Sequence, residues 1–172
     1  RVNNWNPWIN SNWLMSFLLI EKNRDRLVEG LAKSMRSLDQ FIDQYPEDGG
    51  CDEGAGYWGR AAASLFDCLE ILESATGGEI NEFDSDLLRN MGSFIYKAHI
   101  HDNYFVNFAD APVMTTPVPS ILHRFGQRVG DDLLSGIGAW FAEESKLSEK
   151  GFGDRVARQL PALFGAEKLI AT

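Results

Sequence analysis

The chain has no apolar run approaching the roughly 18 residues that a membrane-spanning helix requires; its densest stretch, Trp13 to Ile20, is far shorter. A membrane partner is therefore not expected. A basic, apolar, small-residue leader is also missing, so no secretory signal is visible, and the chain opens on Arg1 rather than Met, as a processed product or excised fragment would. Basic residues are scarce: 16 Lys and Arg stand against 25 Asp and Glu, for a net charge of −9. That balance argues against a nucleic-acid partner, because phosphate affinity comes chiefly from clustered Lys and Arg. The two cysteines, Cys51 and Cys68, have neither metal-ligand spacing nor the numbers for a disulfide framework. Cys68 reads as a small buried residue within a helix. With only three histidines and no His or Cys cluster, no metal site and no cofactor are expected. Low-complexity segments and fixed-period repeats are absent too, so neither a long linker nor a known helical repeat divides the chain.

What is present is helical periodicity. Hydrophobic residues make up 44% and charged residues 24% of 172 positions, ordinary for a domain that buries a core. Leu27, Leu31, Met35, Leu38, Ile42 and Tyr45 recur at helical spacing, with Glu29, Lys33, Arg36 and Gln40 opposite, which predicts an amphipathic helix over 24–45. Pro46 and the glycines at 49 and 50 stop it. A shorter, more apolar helix is predicted over 11–21, with Pro7 and its neighbouring asparagines as an irregular lead-in. From about Gly56 to Ala75 the chain is apolar on most of its circumference, which predicts a helix covered on several sides and closed by Gly77-Gly78. Further helices are expected over 84–99, with Asp84 or Ser85 as cap, and over 120–129, 131–145 and 154–164, the last with Pro161 inside it. Tyr104 to Phe108 reads as a short extended run, and Pro112, Pro117 and Pro119 make the following segment a loop. The fold class predicted is all-α, built from stacked helical hairpins of alternating amphipathic and enclosed character. Inner and outer helix layers of an α/α-toroid would produce that alternation, as would an α-solenoid or a plain bundle.

Two segments carry chemistry. Between Asn3 and Trp13 there are five asparagines and three tryptophans in eleven residues. Side-chain amides hydrogen-bond hydroxyls and carboxylates, and indole faces stack on pyranose rings, so Trp5 and Trp8 are candidate sugar contacts. The plainer reading is a helix lead-in with Asn caps and core tryptophans. The second segment, Asp48-Gly49-Gly50-Cys51-Asp52-Glu53-Gly54-Ala55-Gly56-Tyr57-Trp58-Gly59-Arg60, has four glycines in eight residues. Such a backbone can approach a ligand closely. Tyr57 is expected in the first turn of the following helix, where the dipole favours a phenolate and Arg60, three residues on, would lower its pKa further. A glycine-rich turn with a core aromatic pair is the structural alternative. The alternating ligand pattern of a calcium-binding hand is absent.

Asn-Asn-Trp-Asn at 3–6, followed one helical hairpin later by Asp-Gly-Gly-x-x-Glu-Gly-x-Gly-Tyr-Trp at 48–58, resembles the heparinase II/III-like polysaccharide lyases. Tyr104-Phe105-Val106-Asn107-Phe108-Ala109-Asp110 resembles a segment those proteins carry late in their toroid. The resemblance runs from about Asn3 to Asp131. It implies that residues 1–172 form one domain, the C-terminal part of an incomplete α/α-toroid, without the family's β-sandwich domain. The activity implied is β-elimination on an acidic, uronic-acid polysaccharide or oligosaccharide. Tyr57 would act as base, acid or both, and an Asn would neutralise the uronate carboxylate, Asn3 ahead of Asn4. Trp5, Trp8, Glu53, Trp58, Arg60 and His101 would line the substrate cleft. The family's further His often comes from the β-sandwich, so little turnover is expected of these residues alone. Helix faces left without earlier hairpins would favour self-association. The net negative charge runs against an acidic substrate, and the local field in the cleft has to offset it.

His99 and His101 sit at a predicted helix end, where a His is ordinarily a dipole partner, and His123 lies inside a helix. Two rival functions use the same residues. A glycoside hydrolase could draw on Asp48, Asp52 and Glu53, since it needs two carboxylates across the scissile bond. A non-catalytic carbohydrate-binding module would need only the Trp and Asn cluster.

Overall fold

The computed structural model describes residues 3–146 and 156–171, and these form an all-α fold of stacked helices with one small hairpin of strands. Helix α1 spans Trp5–Ile20 and α2 spans Arg24–Ile42. The start of α1 corrects the expectation of an irregular lead-in. Pro7 falls within the first turn, where a backbone N–H has no intrahelical acceptor, so its missing hydrogen costs the helix nothing. The Asn3 side-chain oxygen accepts from Trp5 N at 3.2 Å, and Asn6 N donates to Asn3 O at 3.0 Å. The asparagines of this segment then tie α1 to α2. Asn6 Nδ2 donates to Ser37 O at 2.9 Å, Asn10 Nδ2 to Ser37 Oγ at 3.2 Å, and Ser34 Oγ to Asn10 Oδ1 at 2.8 Å. A polar ladder between two helices leaves few unpaired groups at their contact. Asn23 caps α2 by accepting from Arg26 N at 3.0 Å.

Helix α3, Ala62–Thr76, is the most enclosed element, with Ala62, Leu65, Phe66, Cys68, Leu69 and Leu72 all buried. Gly77, in the left-handed conformation at φ 63°, closes it as its glycine pair predicts. The thiol of Cys68 donates to Pro7 O at 3.6 Å, which seats the first turn of α1 on α3. Helix α4, Asp86–Lys97, is capped by Ser85, whose hydroxyl accepts from Leu88 N at 3.4 Å. The helix expected to reach His99 stops short of it. His99–His101 is strand β1, paired antiparallel with β2, Tyr104–Phe105, and Tyr104 bridges onward to Met114. Helices α5, Pro119–Val129, and α6, Asp132–Glu144, pack on each other, and α7, Val156–Ala171, lies against both. Pro161 sits within α7 and does not end it.

The core centres on an aromatic column. Phe66 of α3 stacks on Phe125 of α5 with ring centroids 4.5 Å apart, Trp58 stacks on the same Phe125 at 6.0 Å, and Phe83 meets Phe66 edge-on at 5.6 Å. Burying these four rings together adds to the apolar stabilisation of the core. Because Trp58 belongs to the glycine-rich loop, the column also anchors that loop. Among the described residues, no helix is long and apolar enough to cross a membrane.

Candidate functional site

The glycine-rich loop is a 3-10 turn, Ala55–Tyr57, followed by a further turn that leads into α3 at Ala62. Tyr57 N donates to Gly54 O at 3.1 Å, and the Tyr57 carbonyl accepts from Arg60 N at 2.9 Å and Ala61 N at 3.0 Å. Glycine is required at two places. Gly54 has φ +86°, and a Cβ there would lie 2.5 Å from Ala111 Cβ; at Gly56 it would lie 2.6 Å from Pro112 Cδ. The segment after β2 thus presses on the loop and sets its height. Tyr57 stands five residues ahead of α3, so the expectation that it occupies that helix's first turn is corrected. The helix-dipole argument for its hydroxyl falls with it, because the dipole's influence is confined to the terminal turn.

The fold brings the two chemistry-bearing segments together at the start of α1. Asn4 is 5% exposed, and its Nδ2 donates to Glu53 Oε2 across 49 positions of sequence. The exposed Arg60 places its guanidinium carbon 4.7 Å from the Trp8 ring centroid and 5.6 Å from that of Tyr57. It is therefore stacked against ring faces, where cation–π attraction holds it. Trp5 meets Trp8 with centroids 4.9 Å apart and is 54% exposed. The result is an open shelf of two indoles, a phenol and a guanidinium, with the Asn4 amide buried at the start of α1 and held by the Glu53 carboxylate.

Asn3 and Asn4 divide their roles. Asn3 is exposed, stands one residue before the N-cap of α1, and accepts from Trp5 N with its side-chain oxygen. Asn4 has helical backbone angles, φ −55° and ψ −22°, and makes no capping bond with its side chain, which leaves the amide to reach Glu53. The structure thus places the Asn4 amide, and not that of Asn3, against the glycine-rich loop.

Trp58 is a second correction. It is 1% exposed, its Nε1 donates to Met91 O at 2.8 Å, and its ring lies in the aromatic column. Buried on all sides, it has no face to offer a sugar. His101 is exposed on the β-hairpin and pairs with Asp102 Oδ2 at 3.2 Å; His99 bonds Asp102 O at 2.8 Å and packs on Phe105, Trp140 and Phe141. Among the described residues, neither hydrogen-bonds to nor stacks on the Tyr57 loop. His123 is interior, and burial pushes its pKa below the ordinary value, with Lys168 and Arg124 adding to the effect. Asp48, a carboxylate the hydrolase reading needs, is turned back on its own loop, accepting from Gly50 N at 2.9 Å.

Sequence reasoning missed a seam of ion pairs between α3 and the later helices. Asp67, Glu70 and Glu73 pair with Arg158, Arg124 and Arg128 in that order. They edge a cleft of about 480 Å³ whose opposite wall is Met15, Leu18 and Leu19 of α1. This cleft includes none of Asn4, Glu53, Tyr57, Trp8 or Arg60. Its arginines are each engaged by a carboxylate, so it presents little net charge to an anion, and the shelf has the better chemistry despite being open. The pattern that could have betrayed the seam is the acidic spacing 67, 70, 73 on one helix face. Among the described residues, no group of three or more His, Cys, Asp or Glu side chains is placed to hold a metal ion. No family model and no curated protein matches the chain.

Proposed function

We propose that this chain carries the catalytic shelf of a polysaccharide lyase that cleaves a uronic-acid polysaccharide by β-elimination. The observation that carries the reading is the meeting of Asn4 with Glu53, and of Trp8 with Arg60 and Tyr57, from segments some fifty residues apart. These are the two segments whose motifs resemble the heparinase II/III-like lyases. In the reaction, C5–H of the uronate gives its proton to the Tyr57 oxygen, the electron pair forms C4=C5, and the C4–O bond to the departing sugar breaks. The departing oxygen takes a proton from the Tyr57 phenol. The step is hard because the adjacent carboxylate resists further negative charge. An amide carries two N–H donors. Asn4 spends one on Glu53, which fixes the amide plane, and the other is assigned to the uronate carboxylate, where it stabilises the enolate-like charge. Arg60 supplies local positive potential in an otherwise acidic chain. Trp5 and Trp8 give the neighbouring sugar a stacking surface.

The exposed Trp5, packed on the half-buried Trp8, also favours a second reading, a carbohydrate-binding module without chemistry. One experiment separates them. The protein, with any flanking sequence its gene encodes, is incubated with a panel of uronic-acid polysaccharides while ultraviolet absorbance of unsaturated ends is followed. A lyase produces that absorbance and its Tyr57→Phe variant does not. A hydrolase yields new reducing ends without absorbance, and a binding module yields neither. Unsaturated ends at an undiminished rate from Tyr57→Phe would overturn the assignment of Tyr57.

A further inference from the structure

We infer that Arg158, on the last helix, is a positioning residue for the Tyr57–Arg60 turn. It arrives from 99 positions away in sequence and is 4% exposed. Its Nε donates to Asp67 Oδ2 at 2.8 Å, and its Nη2 lies 2.7 Å from the same oxygen. That Nη2 also donates to Gly59 O at 2.9 Å and approaches Ser64 Oγ at 3.4 Å. Ser64 Oγ in turn donates to Gly59 O at 3.3 Å.

The Gly59 carbonyl is the weak point of the turn. The carbonyls before it are taken up by backbone: Tyr57 O by Arg60 N and Ala61 N, Trp58 O by Ala61 N and Ala63 N. Among the described residues, Gly59 O is reached by side chains alone, those of Ser64 and Arg158. The peptide it belongs to joins Gly59 to Arg60, so its tilt sets the direction in which Arg60 leaves the turn. That direction decides whether the guanidinium lies over Trp8 and Tyr57. A guanidinium is a planar fork able to serve a carboxylate and a carbonyl together, which an ammonium on a flexible stem does less well. Asp67 holds the fork from α3, and α7 delivers it. The shelf is therefore completed by a helix that contributes nothing to its surface, a dependence whose catalytic meaning rests on the lyase reading above.

The test is made on the ligand-free protein by nuclear magnetic resonance. Arg158→Met alone would strand Asp67, so the principal variant is Arg158→Met with Asp67→Leu, because replacing a buried pair by apolar residues is often close to neutral for folding. Two quantities are read: exchange of the Arg60 and Ala61 amides, and the upfield ring-current shift of the Arg60 side chain from Trp8 and Tyr57. Exchange at those two amides should rise roughly tenfold or more, with the interior amides of α3 unchanged, as expected of a local opening. The Arg60 shift should fall by about half or more as the guanidinium leaves the two ring faces. Arg158→Lys, which keeps the charge beside Asp67 but not the fork, should move both readouts part of the way. Wild-type exchange and a wild-type Arg60 shift in the folded double variant, or in Arg158→Lys should the double variant not fold, would overturn the inference. These readouts do not depend on turnover. A wild-type protein that eliminates no uronate even with the flanking sequence its gene encodes defeats the lyase reading and leaves the effect of Arg158 on the turn measured. Where turnover is found, the double variant should lose kcat by about a hundredfold with KM within about threefold, the pattern of a displaced catalytic group.

Discussion

Replacing Trp58 by Phe separates a core role from a substrate role. The side chain is 1% exposed, donates Nε1–H to Met91 O at 2.8 Å, and stacks on Phe125 at 6.0 Å. Phe keeps a six-membered ring in the column and removes the pyrrole edge with its donor. Loss of the hydrogen bond costs about 1 kcal/mol. The space left by the missing ring atoms adds roughly 1–2 kcal/mol, a fraction of the 3–5 kcal/mol typical of truncating an aromatic to Ala. A total of about 2–3 kcal/mol should lower the melting temperature by roughly 5–10 °C in a chain of this size. Thermal unfolding followed by circular dichroism measures it directly. Because the indole faces Met91 and Phe125, any sugar affinity of the folded variant should stay within about twofold of wild type, a change under 0.5 kcal/mol. A melting temperature unchanged to about 1 °C, together with lost sugar binding, would refute the packing argument and return Trp58 to the cleft.

Asn3→Ala should cost about 0.5–1 kcal/mol of stability through loss of its bond to Trp5 N and leave elimination near wild type. Asn4→Ala should instead slow turnover by roughly a hundred- to a thousandfold; urea unfolding and kcat on the two variants read the contrast, and the opposite pattern would reassign the donor. Gly56→Ala brings a Cβ to 2.6 Å from Pro112 Cδ, so overpacking should cost about 1–3 kcal/mol by urea unfolding. His123 gives a pH dependence. Its folded pKa lies below the ordinary 6.5, so the unfolded chain takes up that proton first as pH falls. The stability gained by keeping His123 neutral is complete above pH 6.5 and is lost as pH falls through the folded pKa. Melting temperatures measured on both sides of pH 6.5 should therefore fall less steeply with acidification in His123→Gln than in wild type, and equal slopes would show that His123 is not the group responsible.

Most helices were legible because their signals are local. Leu38 of α2 is buried on the stripe that its periodicity marks, with Leu31, Met35 and Ile42 packed against the core beside it, Gly77 closes α3, and Ser85 caps α4. The departures arise where local preference was overridden. Pro7 reads as a breaker, yet it falls where no hydrogen bond is asked of it. His99 continues a helical pattern, but Val106 N donates to Ala98 O and the chain turns back as a hairpin. The start of α3 lies six residues beyond the expected Gly56, because apolar residues continue through Tyr57 and Trp58 while their backbone is held in tight turns by Gly54 and Gly56 against Ala111 and Pro112.

From the sequence alone came the helical class, the pairing of consecutive helices through short connections, and the two segments worth watching, since each depends on residues near one another along the chain. Tertiary structure decided which of the equivalent residues in those segments do what. Trp5, Trp8 and Trp58 are the same side chain, and only the presence of Phe125 and Met91 across the core makes Trp58 a pillar, while Trp8 is half-buried and Trp5 exposed. Asn3 and Asn4 differ by one position, and the start of α1 leaves Asn3 exposed beside Trp5 N while Asn4 faces Glu53. Arg158 carried no local mark at all, because its importance lies in a carbonyl 99 positions earlier, and no window along the chain spans that distance.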